Sequence, residues 1–201
     1  MCCRPSTSPR WRTCSFAVKT KIVQILFIFL CTVLAAAAQD MLPSFGGAKP
    51  PLLLALTLYW AFSESTGSVR DRASGKRRTF AVRWIFAAFV TGAFEDALSE
   101  FPFGCATGYY LLAGAAARFI RPFVHALSPT TLGLVALMVA APFHETWLAV
   151  WGVTGSTPAA LVRFFASALP AAPTGVLVFA ILPLGEQFAG FHGPKLEGRA
   201  R

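Results

Sequence analysis

Six long apolar stretches, separated by short polar or basic segments, make up most of this chain. They cover residues 22–38, 45–63, 80–98, 104–120, 127–143 and 169–188. A bilayer core of about 30 Å takes roughly 20 helical residues to cross. The pattern therefore predicts an all-α membrane protein, a compact bundle of six transmembrane helices over residues 22–188. The second stretch is the weakest. Its clean apolar part runs only from 51 to 62, with Pro50 and Pro51 near its entrance, so residues 45–49 are expected to complete the crossing.

The basic residues decide the orientation. Sixteen of the eighteen Lys and Arg fall before the first stretch, between the second and third, between the fourth and fifth, or after the sixth, counting Arg83 and Arg118 just inside the facing ends of the third and fourth. Only Lys49 and Arg163 fall on the opposite side of a six-span layout. Cytoplasmic loops carry the excess of cations, so both termini are expected in the cytoplasm. The same bias favours a full crossing by the second stretch, which otherwise would turn the most basic loop outward. Residues 1–21 then form a basic cytoplasmic segment, 64–79 a basic cytoplasmic loop and 189–201 a cytoplasmic tail. A rival reading of the N-terminus is a secretory signal, with Ala36-Ala37-Ala38 before Gln39 as its cleavage site. Its 17-residue apolar run is long for that purpose.

Composition agrees with lipid as the solvent. Charged residues are 13% of the chain and hydrophobic residues 55%, against about 25% charged in soluble domains. The net charge of +9 would suit nucleic acid, but the cations cluster between apolar runs without an aromatic stacking platform, so no nucleic-acid role is expected. None of the loops is large enough to fold as a catalytic domain. Trp147 and Trp151, four residues apart, share a helical face suited to the membrane boundary. Residues 158–168 read either as a helix lying on the outer surface or as an extension of the sixth span.

Candidate chemistry is sparse. The five cysteines, Cys2, Cys3, Cys14, Cys31 and Cys105, lack metal or redox spacing. Cys31 and Cys105 read as small core residues, while Cys2 and Cys3 are candidates for acylation. His125, His144 and His192 read as interfacial, and no metalloprotease, serine-hydrolase, P-loop or dinucleotide motif occurs. No cofactor is implied. The exception is the carboxylate pair Glu95-Asp96 near the outer end of the third span. Neighbouring helical positions point about 100° apart, so the two acids face different targets. Gly92 shares the face of Asp96 and lets a neighbouring helix come close. Asp96 reads either as a buried group that bonds helix ends or a ligand, or as a solvated acid that marks the helix end. Gly108, Ala113, Gly114 and Ala115 to Ala117 make the fourth span rich in small residues, which suits close helix packing.

Three blocks carry a resemblance. KPPLLLALTLYWAF (49–62) is a proline followed by a Leu-rich span ending in Tyr-Trp-Ala. FVTGAFEDALSEFPFGCATGYYLLAGAAARFI (89–120) has a glycine, an aspartate four later, a polar turn, another glycine and an Ala/Leu/Tyr-rich span. LPAAPTGVLVFAILPLGEQF (169–188) is a last span with internal prolines and small residues. In this order the blocks resemble the MreD family of rod shape-determining membrane proteins. The resemblance implies a fold similar to the substrate-binding subunits of energy-coupling-factor transporters. It implies a non-enzymatic scaffold in the bacterial cell-elongation machinery, partnered by an MreC-like protein, an MreB-like actin filament, the RodA–penicillin-binding-protein synthase and membrane lipid. By carry-over, Asp96, Gly92, Gly104 and Pro51 match the family's positions, and Glu95 is an added acid beside the aspartate. Asp96 is then expected to order the turn between spans three and four and to line an outward-facing cavity where a partner helix docks. A small-molecule-binding subunit of a transporter is the alternative function. An intramembrane enzyme lacks a nucleophile–base pair in the sequence.

Overall fold

Proline and glycine punctuate this chain, and the helices follow the punctuation. The structure, a computed structural model, describes residues 11–44, 48–63, 82–99, 102–123, 128–151 and 157–188. It has six α-helices and, among the described residues, no strand: α1 Trp11–Met41, α2 Leu52–Ser63, α3 Val82–Leu98, α4 Cys105–Ile120, α5 Pro129–Val150 and α6 Thr157–Phe188. A short 3-10 turn, Arg121–Phe123, follows α4. Three segments are long and apolar enough to cross a membrane: Ile22–Met41 in α1, Thr130–Val150 in α5 and Leu161–Glu186 in α6.

Two boundaries differ from the sequence expectation. Residues 11–21, expected as a basic extramembrane segment, continue α1 as helix, because neither Gly nor Pro interrupts the chain from Trp11 to Met41. Of residues 45–49, expected to complete the second span, 45–47 lie outside the described residues and 48–49 are not helical, nor are Pro50 and Pro51. Pro51 pushes Pro50 out of the α region, and neither ring carries an N–H for a helical bond. The helix starts immediately behind them, where Ala55 N–H donates to Pro51 O at 2.9 Å. At 12 residues, α2 rises only about 18 Å.

That short helix is the centre of the bundle. Every residue from Leu52 to Phe62 is buried, and α2 packs against α1, α3, α4, α5 and α6 alike. A helix enclosed on all sides has no need of a polar stripe, which is why its sequence is apolar all round. Its buried threonine is satisfied locally: Thr57 Oγ1 bonds Leu53 O at 3.1 Å and shares a hydrogen bond with Thr91 of α3 at 2.7 Å.

The outer helices use narrow seams. On α1, Ile28, Thr32 and Ala36 are buried, while Ile22, Val23, Leu26, Leu30 and Leu34 are exposed. Exposed large apolar residues also cover the outer faces of α5 and α6, among them Val139, Phe143, Val162, Leu169, Val176 and Ile181. So much contiguous apolar exposure marks a surface that meets lipid or another protein. Residues 158–168 belong to α6, not to a separate surface helix, and α6 is 32 residues long. Pro170, Pro173 and Pro183 lie within it, and the Thr174 hydroxyl donates back to Pro170 O at 2.6 Å. The most extensive helix pair is α5–α6, where Gly133 sits under the Phe179 ring and Gly175 under Leu134 and Leu137.

Helix direction alternates along the chain. The end of α2 meets the end of α6, where the Tyr59 hydroxyl donates to Glu186 at 2.9 Å. The start of α3 meets the end of α4, where Gly114 lies against the Trp84 ring. The small-residue character of α4 is used unevenly. Gly114 and Ala117 are buried, Ala115 and Ala116 exposed, and a side chain at Gly108 would meet nothing within 4 Å. Cys105 is buried and Cys31 half-buried, while Cys2 and Cys3 lie outside the described residues, as do the loop 64–79 and the tail 189–201.

Candidate functional site

The turn between α3 and α4 is built from four residues of the sequence. Pro102 cannot continue a helix. Gly104, with φ +99°, has the only positive φ among the described residues, a conformation that costs glycine nothing. As the N-cap of α4 it brings no side-chain acceptor, so the first N–H groups of α4 lack intrahelical partners. Asp96 supplies them from the neighbouring helix. Its Oδ2 accepts from Gly104 N–H at 2.9 Å, from Thr107 N–H at 3.2 Å and from the Thr107 hydroxyl at 2.7 Å. Its Oδ1 accepts from Ala106 N–H at 2.8 Å. The buried carboxylate therefore caps α4 from across the hairpin, at the end where the helix dipole favours a negative charge.

Gly92 makes this reach possible. It lies one turn before Asp96, and a Cβ there would fall on the backbone of Thr107. Gly92, Asp96 and Gly104 thus act on one object, the α3–α4 hairpin.

Glu95 turns the other way, into a cavity of about 280 Å³ at the same end of the bundle. All six helices reach it. Its rim holds Asp40 and Lys49, an exposed ion pair at 2.6 Å. Its walls include Pro51 and Leu53 of α2, Glu95 and Ser99 of α3, Tyr110 of α4, His144 and Glu145 of α5, and Arg163 and Ser167 of α6. The Tyr110 hydroxyl donates to Glu95 Oε2. His144 Nε2 stands 3.8 Å from Glu95 Oε1, too far for a hydrogen bond, and this buried nitrogen has no other partner. His144 is only 7% exposed and its ring is held beside Tyr109, at 4.9 Å between centroids. Behind it, Trp147 Nε1 donates to Cys105 O at 3.0 Å and ties α5 to the start of α4.

The two carboxylates thus exchange one expected role. Asp96 was the residue expected to line the cavity, yet its oxygens are spent on α4 and it does not line it; Glu95 does. The physical cause is the rotation of about 100° between successive helical residues. His144, expected at the interface, is instead a buried cavity wall. A signal for it exists in the sequence: Leu137, Ala141, His144 and Leu148 are all buried and recur at helical spacing. Pro51 lines the cavity, half-buried, away from the hairpin. His125 and His192 lie outside the described residues. Ser128 caps α5, accepting from Thr131 N–H at 3.1 Å, and Ser99 Oγ bonds Glu95 O.

Among the described residues, no three His, Cys, Asp or Glu converge to hold a metal ion. Among the described residues, no serine or cysteine is hydrogen-bonded to His144. The arrangement sets a largely withdrawn carboxylate, Glu95, beside a buried imidazole, His144, in a cavity that Arg163 and Glu145 also line. That is the equipment of a binding pocket. Comparisons with protein-family models, with curated proteins and with solved structures find no match to this chain.

Proposed function

We propose that the chain is a six-span membrane scaffold of the bacterial cell-elongation machinery, with both termini on the cytoplasmic side. It docks an MreC-like partner and, with it, MreB-like filaments and the RodA–penicillin-binding-protein synthase. The observation that carries this reading is the α3–α4 hairpin. The resemblance to the MreD family is most specific in residues 89–120, and its glycine, aspartate and second glycine are the residues that lock this hairpin. A rigid hairpin beside large exposed apolar faces suits a protein gripped by other membrane helices.

Six crossings are supported by the alternating helix direction and by the charge at the two ends. Arg83, Arg118 and Arg121 gather at the end where α3 begins and α4 finishes. The central α2 falls short of the bilayer thickness, but its neighbours screen it from lipid, so the mismatch is absorbed inside protein. Reporter fusions give the expected outcome: at Ser74 the reporter is active in the cytoplasm, at Thr154 on the outside. The reverse pattern sinks the topology.

Function is tested in a rod-shaped host that depends on this chain for its shape. With Asp96→Ala, cells round up and the MreC-like protein no longer co-purifies. Normal rods with an intact pull-down overturn the scaffold reading. The cavity favours a second reading, a small-molecule-binding subunit of a transporter, since fold alone does not fix function. Co-purification of an ATPase in place of the MreC-like partner would select it.

A further inference from the structure

Two charges in the cavity, on Glu95 and Arg163, lack a direct partner of opposite formal charge among the described residues. Asp40 and Lys49 neutralise each other at the rim. Arg163 lies within electrostatic reach of Glu145 but makes no ion pair with it. Glu95 has neither a Lys nor an Arg partner among the described residues: its side chain, 14% exposed, meets the Tyr110 hydroxyl and the imidazole of His144. A carboxylate so largely withdrawn from water favours a cation beside it. Beside it stands the second sign of an absent partner, His144 Nε2, buried and without a hydrogen bond.

We propose that this cavity binds a zwitterion whose primary ammonium group lies a few bonds from an acidic group. The ammonium nitrogen sits between Glu95 Oε1 and His144 Nε2. Two acceptors 3.8 Å apart can be bridged by one nitrogen at about 2.8–2.9 Å from both, the ordinary hydrogen-bond distance, once the His144 ring turns its enclosed Nε2 toward the cavity. His144 accepts there with its proton on Nδ1, as neutral imidazole allows. The acidic group faces Arg163 in the cavity wall, whose guanidinium forks onto carboxylate or phosphate. A volume of about 280 Å³ suits a headgroup or an amino acid and is small for a drug-sized ligand. A trimethylated nitrogen has no N–H to give and is excluded.

Two sources carry this chemistry: the ethanolamine headgroup of a phospholipid, and a free amino-acid-like solute. Leu98, apolar and exposed at the cavity edge, offers a place for a lipid chain to leave. The site is independent of the scaffold role, and its test does not use cell shape.

The full chain is purified in detergent free of ethanolamine lipid, and its unfolding is followed by tryptophan fluorescence. Phosphoethanolamine is expected to raise the midpoint by several degrees at saturation, and phosphocholine to leave it unchanged. Glu95→Gln keeps an acceptor for Tyr110 yet abolishes the response, and Arg163→Gln weakens it at least several-fold. In nanodiscs holding equal ethanolamine and choline phospholipid, native mass spectrometry shows selective retention of the ethanolamine lipid by the wild type. If glycine stabilises the protein and no lipid is retained, the source is a free solute and the ammonium site stands. Equal responses to phosphoethanolamine and phosphocholine, no response to any probe, or an undiminished response in both variants overturns the proposal. Should Glu95→Gln not fold, an unchanged response in Arg163→Gln alone overturns it.

Discussion

Asp96→Ala lowers the thermal midpoint of the detergent-purified protein by about 10 °C, the largest single-residue effect expected outside the central helix. Three backbone N–H groups and one hydroxyl end on this carboxylate. Hydrogen bonds to a charged group contribute about 1.5–3 kcal/mol each, and stranded buried donors cost about 1–3 kcal/mol. These terms overlap, so a total of about 3–5 kcal/mol is expected, in line with breaking a buried charged network. Asp96→Asn does not rescue it. One amide oxygen can still accept from Ala106, but the –NH₂ then points at the N–H groups of Gly104 and Thr107, donor against donor. Glu95→Gln is the internal control. It sits one residue away, keeps an acceptor for Tyr110 and loses about 1 kcal/mol or less. Thermal unfolding of the three variants side by side decides the matter: equal losses at 95 and 96 would refute the cap.

Gly92→Ala and Gly108→Ala move stability in opposite directions, although both replace a helical glycine in the same hairpin. At Gly92 the new methyl falls on Thr107 backbone, which cannot rotate away as a side chain can. The helices must separate, and the expected loss is about 1–3 kcal/mol, with further loss as the Asp96 bonds lengthen. At Gly108 the methyl meets nothing within 4 Å, so only helix propensity acts, a gain of about 1 kcal/mol. Denaturation of both variants in the same detergent checks the pair. A neutral Gly92→Ala would mean that α3 and α4 do not approach as closely as described. At Gly133 the obstacle is a side chain, the Phe179 ring, but that ring is itself buried and packed on Tyr59, so a methyl there forces the core to repack.

What could be foreseen from the sequence depends on how far apart the partners lie. Helix existence came through clearly, because long apolar runs and their breakers are local: α3, α4 and α5 begin close to where the pattern puts them. The Gly92/Asp96 relation was also legible, since one helical turn separates them. The carboxylate's partners at 104–107 lie just beyond a short turn. The cavity was not legible. Glu95 meets His144 across the bundle from α3 to α5, and no spacing rule links residues that far apart. The same limit applies to Arg163, which reads as an isolated outer cation in the sequence and stands in the cavity wall beside Ser167. The start of α1 was missed for a different reason. Basic residues marked 11–21 as outside the membrane, which says nothing about whether they are helical.

The enclosed position of α2 reaches back into how the protein is made. A segment of 12 residues is too short to hold itself across a bilayer, and each of its flanks is walled by a different part of the chain. Two of those walls, α5 and α6, leave the ribosome after the others. A nascent polypeptide halted after α4 therefore carries its most apolar element with one side unwalled, a ready mark for membrane quality control, and only translation of the α5–α6 pair removes it.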